Sequence, residues 1–551
     1  MRSGSWQEPE PGLRRPRASL SFRRPRPAPP VSSREPATSL KATRATLWPM
    51  GPTPHTPRLA IAAGNGLGAE AAEAIARDGG NAVDACLAAA VMAWVAEPFF
   101  ASTAGSGFIV VRTPGGDVEV IDGNNAMPLT QPDEPGQGLT RTFIPDYSDG
   151  MYTGIGAGSV AVPGILAAVH KAWERHGAIE WAALFQPSIE AARNSVPFPK
   201  TSAYYLSVTW KEIWSTFESS RALFLHDGHL LVENQPMIQA ALADSLEMIA
   251  ERGPEVFYEG ELGAAMIEEL TTEEGFITID DLSSYSAEIR QPISTEAFDW
   301  KVESNPPPAV GGAVLTHMLA LLGETELSDP TARLSAIVEA QRASTGYRHE
   351  RYDDPGDIAG ALEEAMTELK RSMRSPSTTH SSSADADGYA CSLTESNGYG
   401  AGLVINGILM NNTLGEEELN PLGVHSLPPG SRTHSNMAPT IVTGNDTVVA
   451  LGSPGADRIV SAIAQTFLAL AVDGLSLEEA VAYPRAHLDP REEGNVLCFE
   501  PGLPGGELGY TPRPYDAPHM YFGGVQAASV TYDGVVTAAH DPRRSGSSRL
   551  I

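Results

Sequence analysis

Residues 375–394 read SPSTTHSSSADADGYACSLT, and the texture of the chain changes across them. By composition alone SPSTTHSSS (375–383) reads as a flexible linker, since such a run cannot build a core. Before it, DIAGALEEAMTELKR (357–371) places Leu362, Met366 and Leu369 on one face of a predicted helix. After it the texture turns to strands: DADGYACSL, GAGLVI, GILMNN and TIVTGNDTVVAL. GSPGADR (452–458) then opens the helical pattern IVSAIAQTFLALAV. Upstream, FIVVR and VEVID flank PGGD and predict a hairpin over 108–122. One helix should stop at Gly79-Gly80, and Asn81 should cap the next, with Asp84 as its capping-box partner. VPGILAAVHKAWERHG predicts a helix with Pro163 in its first turn and Gly177 as its stop. Residues 200–300 look mainly helical, and NPPPAVGGAV (305–314) is a Pro/Gly elbow between a strand and a helix. Sheets with helices packed outside them fit this order.

The chain has 551 residues with 38 Lys+Arg against 68 Asp+Glu, a formal charge of −30. That excess of acid argues against nucleic acid as a partner, because phosphate binding needs a basic face. Cys86, Cys391 and Cys498 are too few and too scattered for a disulfide framework or a zinc site. The most apolar stretch, ACLAAAVMAWVA (85–96), is short of the ~18–20 residues of a membrane span and reads as a buried helix. Residues 1–50 form a basic Arg/Pro-rich extension of net charge +7, from nine Arg, one Lys and three Glu. It reads as a disordered tail, an atypical targeting segment, or sequence upstream of a start at Met50. No secretory pattern is visible, so a cytoplasmic protein is expected.

Other features bear on chemistry. The strand–GSPGADR–helix turn offers backbone N–H groups suited to an oxyanion, or is simply a tight turn. DPRR (541–544) and PRAH (484–487) suggest buried arginine–carboxylate pairing that fixes the terminal strands. The glycines of GIGAGSVAVPG (154–164) suit a close approach of backbones.

Taken together these blocks resemble the γ-glutamyltranspeptidase family of N-terminal nucleophile hydrolases. The matching stretches, in family order, are DGGNAVDACLAAA (78–90), AVPGILAAVHKAWERHG (161–177), the region from DDLSSY to NPPPAVGG (280–312) and STTHSSSADADGYACSLT (377–394). GILMNN (407–412), SNMAPTIV (435–442), GSPGADRI (452–459), PRAH and DPRR continue it. The resemblance implies a four-layer αββα fold made as one precursor and cut between Ser377 and Thr378. A large part (51–377, after the 1–50 extension) and a small part (378–551) would then form a heterodimer, alone or in a further oligomer. The freed Thr378 would be the nucleophile, with its α-amine as base. Ser396 takes the place of a supporting family threonine, and the Gly455 and Ala456 amides would form the oxyanion hole. On this reading a flexible 375–383 run would let the peptide bond strain toward self-attack.

Substrate grip departs from the family. Asn124 stands where an Arg holds the donor carboxylate, and the Ser-Ser pair on that group is Ser435-Asn436. Glu416 or Glu417 would replace the acid on the donor amine, and Asn397 matches a family Asn there. The resemblance thus implies a Thr amidase passing a γ-glutamyl or related acyl group from a glutathione-like amide to water or an amine. It implies no metal or organic cofactor. An acylase with a non-glutamyl donor, as in β-lactam acylases, and a non-catalytic scaffold of the same fold are the alternatives.

Overall fold

The structure, a computed structural model, describes residues 56–551 apart from 146–149, 324, 326, 328, 352–377, 421 and 490–493. The expected helix over 357–371, Ser377 and the 1–50 extension lie outside the described residues.

In chain order the elements that position the site begin with β1 (Leu59–Ala63), α1 (Gly66–Arg77), α2 (Ala82–Ala96), β2 (Ser106–Arg112), β3 (Val118–Gly123) and α3 (Ile165–His176). After a mainly helical stretch come β4 (Glu288–Arg290), β5 (Ile293–Ala297), β6 (Trp300–Ser304) and α4 (Gly311–Gly323). The remainder supplies β7 (Thr378–Asp385), β8 (Ala390–Ser396), β9 (Thr440–Thr443), β10 (Thr447–Gly452), α5 (Arg458–Ala471), β11 (Gln526–Thr531), β12 (Val536–His540) and β13 (Ser547–Leu550). Seven strands form one antiparallel sheet in the order β4-β3-β2-β8-β7-β1-β13, and six form another in the order β5-β6-β9-β10-β11-β12.

Strand alternation turns these sheets into four layers. Phe108 and Val110 of β2 pack in the cluster between the sheets, together with Val448 and Ala450 of β10. The intervening Ile109 and Val111 face the helices α2 and α3. Val449 and Leu451 face α4 and α5 on the other side. Helix α2 is buried at every position, as the apolar run 85–96 foretold. Asn81 caps it in a complete capping box with Asp84, and β2 and β3 form the expected hairpin. Among the described residues, no helix is long and apolar enough to cross a membrane.

Two local expectations are corrected. Pro163 precedes helix α3, whose N-cap is Gly164, rather than lying in its first turn, while Gly177 stops the helix as expected. More consequentially, residues 378–383 belong to a central strand, buried along its whole length, and form no linker. The hydroxyls that suggest a linker are absorbed by partners: Ser383 Oγ donates to the Ala82 carbonyl (2.5 Å) and Thr379 Oγ1 to Glu97 (3.0 Å). Small polar side chains on a buried strand cost little once hydrogen-bonded, and they let neighbouring layers approach closely.

The arginine–carboxylate reading holds. Asp541 meets Arg485 Nη2 at 2.7 Å and Arg543 Nη1 at 3.1 Å, all three being buried, and also accepts from the Val525 amide (2.8 Å). Arg543 Nε reaches Glu500 at 2.7 Å. This ties the C-terminal segment to the loop before residue 486. Removing the central acid deprives buried Arg485 of its ion-pair partner, while Arg543 keeps Glu500. Asp541→Ala should therefore lower stability by about 3–5 kcal/mol, measured by chemical denaturation, whereas breaking an exposed pair such as Arg193–Asp244 should leave the denaturation midpoint almost unchanged.

Candidate active site

Thr378 opens β7, and its partner across the ladder is Ser396, the last residue of β8. The strand on the far side of β8 brings Ser106 opposite Ser396 in turn. Three hydroxyl residues thus meet at one sheet end, on the wall of a small cleft. Asn124, Glu416, Ser435, Asn436 and Ala456 line the same cleft. Tertiary structure therefore gathers residues from positions 106 to 459 of the chain around Thr378.

The turn from Ser453 to Ala456 is held from behind. Ser453 Oγ donates to the Pro454 carbonyl (2.8 Å) and accepts from the Gly524 amide (2.9 Å). A Cβ at Gly523 would come within 2.5 Å of that oxygen, so the close approach requires glycine there. Ala456 has φ +54°, the left-handed region, and presents its residue to the cleft at the head of α5. Gly455 (φ +130°) does not line the cleft; it lies against Gly523.

His380, the third residue of the Thr-Thr-His run, is no base. It is fully buried between Thr394 Oγ1 and Ser382 Oγ, each 2.8 Å from a ring nitrogen, and burial drives its pKa down to about 3. A Cβ on Gly452 would sit 2.3 Å from its ring, so the facing sheet clamps it. On the helix side of β7, Glu97 accepts from Asn65 Nδ2 (2.6 Å) and Thr379, while Glu395 accepts from Trp94 Nε1 (2.7 Å). Burial pushes both carboxyls upward. They anchor the strand from beneath.

The pocket side chains divide clearly. Glu416 lines the cleft, its carboxyl raised by burial and by the neighbouring Glu418, which lines it too. Glu417, the other candidate, is turned away into an ion pair with Arg141. Asn397 is fully buried but off the cleft wall, its amide donating to the Met410 carbonyl (3.4 Å). Asn124 donates its amide to the Thr433 carbonyl (2.6 Å), and its own carbonyl accepts from Tyr285 Oη (2.7 Å) and Arg432 Nη1 (3.0 Å). Its nitrogen is thus spent on the backbone. The sequence reading missed Ser106, Glu418 and His434; register with Ser396 and adjacency to Glu416 and Ser435 were the available signals. Among the described residues, no group of three or more His, Cys, Asp or Glu could hold a metal ion.

Two outcomes follow from these geometries. Ala456→Gly relieves a left-handed alanine and should raise stability by about 1 kcal/mol while leaving turnover nearly unchanged, since the N–H is kept. His380 stays neutral in the native state down to about pH 3, whereas an unfolded imidazole takes its proton near pH ~6.5. Between those values only the unfolded chain binds the proton, so stability falls as pH is lowered through this window. Melting curves of His380→Gln should show a shallower decline from pH 6.5 to 4 than those of the parent.

Comparison with known proteins places this geometry in context. The family model described as gamma-glutamyltranspeptidase matches residues 68–372 and 363–551. The glutathione hydrolase proenzyme of Escherichia coli K12 is 29% identical over 75% of this chain and 78% of its own length. The acylase ACY 1 proenzyme of Pseudomonas sp. SE83 is also 29% identical, over 86% and 90%. The cephalosporin acylase of Bacillus halodurans superposes with a TM-score of 0.72 at 22% identity, covering 92% of this chain and 98% of that one, a likeness of fold.

Proposed function

The chain belongs to the γ-glutamyltranspeptidase family, and from that premise we propose that it is a self-processing amidase with Thr378 as nucleophile. It transfers a γ-glutamyl or related acyl group from a glutathione-like amide to water or to an amine. The observation that carries this reading is the joint placement of Thr378, Ser396 and the Ala456 turn on one cleft.

In the precursor the Thr378 hydroxyl attacks the carbonyl carbon of Ser377. The peptide C–N bond breaks as the ester forms, the nitrogen takes up a proton, and water then hydrolyses the ester. Ser377 is left as a carboxylate and Thr378 as a free N-terminus. Its α-amine, with a pKa near ~8, accepts the hydroxyl proton when Oγ attacks the donor carbonyl. The backbone N–H of Ala456, whose residue lines the cleft, holds the oxyanion, a contact worth about 3 kcal/mol. The leaving amine departs with the proton, and water or an acceptor amine takes the acyl group from Thr378.

The sheet order supports two parts that stay together after the cut. Strands β7 and β8 follow residue 377, yet they lie between β2 and β1, which precede it. Large and small parts therefore share one continuous ladder, consistent with a heterodimer.

A second reading has one observation in its favour. With Asn124 bonded to Thr433, no arginine among the described residues lines the cleft to receive a donor carboxylate. An acylase acting on a non-glutamyl donor fits that, and the similarity to acylase ACY 1 points the same way.

Intact mass under denaturing conditions tests the proposal. The parent should give two fragments, the smaller beginning at Thr378, and should hydrolyse γ-glutamyl 4-nitroanilide and glutathione. Thr378→Ala should give one inactive chain. A parent chain that stays whole for days at neutral pH would overturn the self-processing reading.

A further inference from the structure

The cleft proposed to receive the donor is acidic on one account and, among the described residues, lined by no arginine on another. Glu416 and Glu418 supply two carboxyls to its wall. The two arginines nearest in sequence to cleft residues are both engaged elsewhere. Arg432 donates to the backbone carbonyls of Asn124 (3.0 Å) and Ser286 (2.6 Å) and lies over the Tyr285 ring at 4.2 Å. Arg458 pairs with Asp457 at 2.5 Å and faces the Tyr521 ring. Neither lines the cleft. Among the described residues that do, His434 is the one side chain able to carry positive charge.

His434 is also placed by the residues that displace the expected clamp. It stands between Thr433, whose carbonyl holds the Asn124 amide, and Ser435, a neutral donor on the same wall. It is 9% exposed, so a contact made there is shielded from water. An imidazole offers an N–H in either protonation state and a charge when protonated. Together with the Ser435 hydroxyl and the Asn436 amide it can replace, by hydrogen bonds to two carboxylate oxygens, what a guanidinium fork would do alone.

We infer that His434 is the specificity-determining residue that receives the donor's carboxylate in this chain, in place of an arginine at position 124. This rests on the γ-glutamyl reading above. It assigns the donor class: an acyl group carrying a carboxylate at the end remote from the scissile amide, with Glu416 receiving an amine beside it.

Three 4-nitroanilides separate the contributions. The γ-glutamyl anilide carries both carboxylate and amine, the glutaryl anilide lacks the amine, and the 4-aminobutyryl anilide lacks the carboxylate. For the self-cleaved protein, His434→Gln should raise KM for the γ-glutamyl and glutaryl compounds about ten- to hundredfold. KM for the 4-aminobutyryl compound should stay within about twofold, and kcat should change little for any of them. His434→Arg, or Asn124→Arg added to His434→Gln, should recover the carboxylate-bearing donors selectively. Fragment masses for each variant confirm folding and processing. An equal loss on all three anilides, or none on any, would overturn the assignment while leaving the amidase reading intact. A self-cleaved parent that turns over neither carboxylate-bearing anilide would overturn the γ-glutamyl reading itself, and this inference with it.

Discussion

The pairing of β7 with β8 is the constraint on which the rest depends. It sets Thr378 against Ser396 at the open end of the ladder, and a slip of one residue would turn Thr378 toward the helix layer. Register here is fixed by polar contacts as much as by apolar packing. Thr379 and Ser383 are tied to α2 and its C-terminal end, while His380 and Ser392 are tied to the opposite sheet. Each alternate residue of a Ser/Thr-rich strand thus finds a different layer, so no slipped pairing satisfies the same hydroxyls.

That arrangement explains how Thr378, the proposed nucleophile, can sit at the start of a strand buried in the middle of a sheet. The chemistry needs a rigid nucleophile and a rigid oxyanion site brought together from separate sheets. The first comes from the end of the seven-stranded sheet, the second from the turn after β10 in the six-stranded one. His380, wedged against Gly452, joins the two sheets directly behind the nucleophile. Its neutrality suits that structural task. A charged imidazole in the same place would carry an uncompensated desolvation penalty.

Much of the fold was legible in local sequence. The Asn81–Asp84 capping box, the Gly79 stop, the β2–β3 hairpin and the Arg485–Asp541 pairing all appear as read. The first three depend on hydrogen bonds within a few residues, and the last on two charged motifs too apolar in their surroundings to be left unpaired. Ser/Thr composition at 378–383 misled, because a linker and a buried polar strand share the same residues and differ only in their distant partners. The site was legible in part: Thr378, Ser396, Ala456, Asn124, Glu416, Ser435 and Asn436 converge on one cleft, whereas Asn397 and Gly455 stand behind it.

The sequence by itself determined the local caps and turns, the order of the family's motifs and the position of the proposed nucleophile, Thr378. Those are written in contiguous residues. Only the tertiary structure decided which neighbour of each pair faces the cleft. Glu416 faces it while Glu417 meets Arg141; His434 lines it while Arg432 turns to the carbonyls of Asn124 and Ser286. Arg432 and His434 are two residues apart, so strand alternation does not sort them, and the difference comes from partners elsewhere in the chain. Their environments are set by chain segments up to some three hundred residues away, such as Asn124 and Arg432, and no local pattern carries that information.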